Sequence, residues 1–139
     1  MALTWTPALA VGVSNLDEDH KQLFDRVNKL LEAMQQSRAK EQLAPLVGFL
    51  KDYVSVHFGG EAALMQRHRY PEAQYHLAQH AFFVAEFRAL ADELEKSGPT
   101  ALTTIKLNKL LCDWLRQHVA STDKKLGAFL ATVSATARA

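Results

Sequence analysis

Histidine and glutamate stand four positions apart in "HFGGE", residues 57–61, and two histidines repeat that spacing in "HLAQH", residues 76–80. Residues four apart on a helix differ by only about 40° in direction, so each pair faces one side. Imidazole nitrogen and carboxylate oxygen are first-row transition-metal ligands, and two of them one turn apart can share an ion. Taken singly, either pair is weak, and a lone histidine on an apolar face is more often a core residue than a ligand. Here His20 and His118 also fall on apolar stripes, which makes five of the six histidines inward-facing.

Four helices are needed to bring these residues together. The first starts at "SNLDEDH", with Ser14 or Asn15 as cap and acidic residues at the positive end of its dipole. Its stripe is Leu16, His20, Leu23, Phe24, Val27, Leu30 and Leu31. The second runs from about residue 40 to 69, with Pro45 drawing its start toward 43, because proline belongs in a first turn. Leu46, Leu50, Tyr53, His57, Glu61 and Met65 trace its inner face, and "RYP" ends it. The third covers about 72–96, with His76, His80, Phe83, Phe87 and Leu90 on one stripe, and stops at "SGP". The fourth begins near Thr100 and carries Leu107, Leu111, Trp114 and His118. A short terminal helix follows Asp123. The expected fold is all-α: an up-down-up-down four-helix bundle over 16–135 within a single domain of 1–139, preceded by an extended arm over 1–15.

Composition excludes several classes. The net charge is +1, from 16 basic and 15 acidic residues, so nothing points to nucleic acid or an anionic membrane as partner. No apolar run reaches the roughly 20 residues that span a bilayer. Cys112 is the one cysteine, which excludes an internal disulfide and fits a reducing compartment. "MALTWTPALAVGVSNLDEDH" makes a poor signal peptide, so a cytoplasmic location is expected. Cys112 reads as packing, and His68 as a residue of the second helix's last turn.

Five imidazoles and Glu61 buried in one bundle without a partner would cost several kcal/mol, and a metal at the axis removes that cost. The segments "VGVSNLDEDHKQLF", "HFGGEAALM", "YPEAQYHLAQHAFF" and "WLRQHVASTD" together resemble the hemerythrin family, in its single-domain bacteriohemerythrin branch. That family's pattern is one histidine, then HxxxE, HxxxH and HxxxxD, and the resemblance runs from Trp5 to about Leu130. One departure is Ala62, where many members carry a second acid.

The resemblance implies a non-haem di-iron centre with an oxo or hydroxo bridge. His76, His80 and His118 would hold one iron, His20 and His57 the other, and Glu61 and Asp123 would bridge both. Octahedral preference then leaves one position open, on the two-histidine iron, where dioxygen would bind reversibly. Phe58, Trp114, Leu115 and Val119 would form an apolar oxygen pocket, Leu115 over the open position. The implied role is oxygen storage, delivery to an oxygen-consuming enzyme, or buffering, by a monomer that is not an enzyme. The competing roles are an oxygen- or redox-sensing module with a separate partner, and a di-iron peroxidase or nitric oxide handler. The ligand histidines need hydrogen-bond acceptors for their other ring nitrogens, but the sequence does not single these out.

One spacing carries a structural demand of its own. His118 and Asp123 are five apart, and an ideal α-helix would turn them about 140° from each other. If both face the axis, the backbone must widen into a π-like turn between Val119 and Asp123.

Overall fold

A computed structural model of the chain describes residues 4–138. Four long helical segments pack in a ring: α1 (Ser14–Gln35), α2 (Ala39–Arg67), α3 (Ala73–Ser97) and α4 (Ala101–Asp113). α4 passes without a break into a π-helical segment, Trp114–Asp123, and then into α5 (Lys124–Arg138). α1 packs on α2, α2 on α3, α3 on α4, and α4 closes back onto α1. There is no strand among the described residues, and no described helix is long and apolar enough to cross a membrane.

The expected stripes face inward. Leu23, Val27, Leu30, Leu50, Phe83 and Leu111 are fully buried in one large cluster that fills one end of the bundle. Met65, Tyr70, Leu126 and Leu130 form a smaller cluster toward the other. Along α2 the order is Leu50 and Tyr53, then His57 and Glu61, then Met65, so the polar layer lies between two apolar ones.

Tight connections hold the ring. Ser37 (φ 58°) and Arg69 (φ 52°) take the left-handed conformation at the ends of α1 and α2. Arg38 N–H donates to Ala33 O at 2.7 Å, and Tyr70 N–H to Met65 O at 2.9 Å, which satisfies terminal carbonyls in both turns. Gly98 (φ 71°) does the same for α3, where glycine carries no Cβ penalty. Thr100 caps α4 reciprocally with Thr103.

Three expectations need correction. α2 begins at Ala39, not near 43, so Pro45 lies inside the helix. Its ring is on the solvent face, where water can satisfy the carbonyl that its missing N–H leaves free. Neither Ser14 nor Asn15 caps α1; the cap position is Val13 and no side chain caps it. Asp17 reaches back instead, accepting from Val11 N–H at 2.7 Å and Gly12 N–H at 3.2 Å. The arm is not wholly extended, since Pro7–Leu9 forms a 3₁₀ turn. Val11 of the arm is buried against α5, where a Cβ on Gly127 would sit 2.6 Å from Val11 O. Lys124 Nζ donates to Ala10 O at 3.0 Å and fastens the same contact.

Candidate metal centre

All seven side chains expected from spacing, apolar stripes and the family resemblance meet in the polar layer, each 5 % exposed or less. α1 supplies His20, α2 supplies His57 and Glu61, α3 supplies His76 and His80, and the π segment supplies His118 and Asp123. They form two overlapping groups able to hold an ion. One is Glu61, His76, His80, His118 and Asp123; the other is His20, His57, Glu61 and Asp123.

The carboxylates join the groups. Asp123 Oδ2 lies 3.1 Å from His20 Nε2, while its Oδ1 lies 3.2 Å from His76 Nε2 and 3.1 Å from His118 Nε2. Glu61 Oε1 is 3.5 Å from His57 Nε2, 3.5 Å from His76 Nε2 and 3.1 Å from His80 Nε2. These approaches lack hydrogen-bond alignment. Both oxygens of Glu61 and of Asp123, and Nε2 of His76, His80 and His118, are buried without a hydrogen bond. Buried polar atoms are almost always satisfied, so lone pairs converging in this way fit bound cations. Histidine and carboxylate suit iron, manganese or zinc.

The π segment is what brings Asp123 to the axis. Its i→i+5 bonding takes more residues per turn, so positions five apart come to one face. The widening meets the sequence expectation, though it starts at Trp114 rather than Val119.

Carboxylates and imidazoles in this layer shift one another's proton affinity. Burial opposes the charge on Asp123, yet imidazoles of His118, His20 and His76 hold its carboxyl well below the usual range. Burial also works against a proton on His76, but Asp123 and Glu61 outweigh it and push the group up to about 9. His20 is raised by Asp123 against its burial. For His80 burial prevails over Glu61, and its value falls.

The histidines are held from behind. His57 Nδ1 donates to Asp19 Oδ2 at 2.9 Å, and His118 Nδ1 donates to Gln79 Oε1. Sequence reasoning missed both acceptors. A signal was present: each directly precedes a histidine of the cluster, Asp19 before His20 and Gln79 before His80.

Aromatic rings cover three imidazoles. Trp114 stacks on His118 with centroids 3.7 Å apart, Phe58 on His80 at 3.9 Å, and Tyr53 on His57 at 4.6 Å. The sequence places Tyr53 on the inner face of α2 and gives it no role at the site. Its hydroxyl is held well above the ordinary value, by burial first and then by Asp123 and Glu61. Leu115 and Val119 are buried in the same cluster as Phe58 and Trp114. Cys112 is half-buried and lies apart from the polar layer, as does His68, which follows the end of α2.

Comparison with known proteins agrees with this arrangement. Residues 11–130 match the hemerythrin HHE cation-binding domain. A bacteriohemerythrin of Methylococcus capsulatus is 30% identical over 131 residues, covering 92% of this chain and 96% of that one. Another from Pseudomonas aeruginosa is 30% identical over 124 residues, covering 87% and 76%. Myohemerythrin-1 of Phascolopsis gouldii is 30% identical over 121 residues, covering 87% and 88%. With the ligand pattern filled at every position and the match spanning both of its ends, this chain belongs to the hemerythrin family.

Proposed function

We propose that the centre holds two iron ions joined by an oxo or hydroxo bridge and binds dioxygen reversibly, for storage, delivery or buffering. One observation carries the reading: Glu61 and Asp123 belong to both ligand groups, while the histidines divide into three and two. His76, His80 and His118 would complete one iron, and His20 and His57 would leave a position free on the other. When bound, the iron pair supplies the electrons that reversible dioxygen binding requires.

The chain's own part is to hold and to exclude. Glu61 and Asp123, which belong to both ligand groups, would hold the two cations together. Phe58, Trp114, Leu115 and Val119 keep water from the free position, with Tyr53 extending the wall behind His57. Surface grooves approach this wall, one of about 770 Å³ between α3 and α4 and one of about 580 Å³ between α2 and α3. The first groove reaches His118 and the second reaches His80, beside Trp114 and Phe58, whose rings lie flat on those imidazoles. A single chain contains the whole ligand set, so no second copy is needed to build the site.

The test is metal analysis followed by optical spectra of the reduced protein before and after air. Two irons per chain and a charge-transfer band that appears with oxygen and disappears when oxygen is removed are expected. A band that does not reverse, together with rapid turnover of added peroxide, would overturn the carrier reading in favour of a peroxidase.

A further inference from the structure

The two acceptors behind the histidines differ in charge, and they differ in the direction that the ligand count requires. Asp19 of α1 stands behind His57 of α2, and Gln79 of α3 stands behind His118 of the π segment. The donor and acceptor are 38 residues apart in the first case and 39 in the second. In both, the residue just before an inward histidine reaches the histidine of the next helix. One residue back along a helix rotates the side chain by about 100°, out of the axis and toward the neighbour. So the same device is built twice, once with a carboxylate and once with a neutral amide.

A carboxylate behind an imidazole makes its other nitrogen a stronger donor to a cation, and an amide does so less. The carboxylate serves the group with two histidines, and the amide serves the group with three. We propose that Asp19 and Gln79 are matched positioning residues whose unequal charge offsets the unequal histidine count, so that Asp19 secures the cation at the two-histidine position. This rests on the two-metal reading but not on oxygen binding.

The experiment titrates the metal-free protein with Co²⁺, following ligand-field absorbance and bound metal per chain. The unmodified chain should take up two ions in two resolvable steps. Asp19→Asn should weaken one step by roughly 10–100-fold, the usual scale for outer-sphere partners, and leave the other little changed. Asp19→Glu, which keeps the charge, should restore it. Gln79→Glu should tighten the other step. Equal weakening of both steps by Asp19→Asn, no weakening, or both variants acting on one step would overturn the proposal. Should Asp19→Asn fail to fold without metal, Gln79→Glu decides alone, and an unchanged affinity refutes the idea. Binding of a single Co²⁺ by the unmodified chain would instead refute the two-metal reading.

Discussion

The molecule can be compared with itself, one helical hairpin against the other. In α1–α2 the series is Asp19 and His20, then His57 and Glu61; in α3 and the π segment it is Gln79 and His80, then His118 and Asp123. Each hairpin presents a histidine, a second histidine held from behind, and a carboxylate that serves both ligand groups. Beyond the charge that separates Asp19 from Gln79, two differences of position break the likeness. The α2 pair is four apart on an α-helix, whereas the π-segment pair is five apart and needs the wider turn. And α3 carries His76 one turn before His80, where α1 carries Leu16 one turn before His20. Leu16 is 1% exposed, so a buried apolar side chain stands where the other hairpin has its extra imidazole. On the proposed two-iron reading, this leucine in place of a histidine is what would leave a coordination position open.

The largest expected effect comes from erasing that difference. Leu16→His would give the first hairpin the ligand that His76 gives the second. The variant should retain two metals per chain and lose the oxygen-dependent band entirely, as read from spectra of the reduced protein before and after air. An undiminished, reversible band would show that position 16 does not face the open site.

Next comes the bridge that the hairpins share. Glu61→Gln removes the charge that serves both groups, so the variant should bind fewer than two metals per chain. Full occupancy with unchanged spectra would break the symmetry between Glu61 and Asp123.

A smaller effect is expected at the wall. Leu115 is 3% exposed, and Leu115→Ala should cost about 2–5 kcal/mol of stability through the cavity it leaves. Metal content should not change, while the oxygenated form should decay severalfold faster as water gains access. Decay of the oxygenated spectrum in air at equal metal loading measures this, and an unchanged rate would reduce Leu115 to packing alone.

The gentlest test varies pH. His76 is raised from 6.5 to about 9 in the metal-free protein, so the stability it contributes is fully present below pH 6.5 and lost as pH rises through about 9. Metal binding must displace that proton, so affinity rises over the same window. The gap in melting temperature between loaded and metal-free protein should widen from pH 6.5 to 9. Calorimetry at several pH values would show it, and a constant gap would mean that His76 is not protonated in the metal-free state.

How much of this was legible before any coordinates depends on the range of the interaction. Helix stripes, the ends near "RYP" and "SGP", and the pairing of His57 with Glu61 and His76 with His80 all follow from spacing within one turn, which the chain carries locally. The five-residue step from His118 to Asp123 even predicted a widened turn, because two ligands cannot face one axis across an ideal α-helix. Cap and start were less legible. Pro45 is tolerated inside α2 because it happens to face solvent, and Asp17 binds the arm behind it rather than leaving Ser14 to cap. What no local rule could supply is the relation between helices at matching heights. Asp19 meets His57, Gln79 meets His118 and Phe58 lies on His80 only once the helices are packed in register, whereas Tyr53 on His57 and Trp114 on His118 are contacts one turn apart within a helix. The ligand types were set by side-chain chemistry along each helix, whereas their orientation, their outer partners and their dry surroundings were decided by the bundle, because a hydrogen bond of about 3 Å between residues nearly 40 positions apart exists only where tertiary packing brings them together.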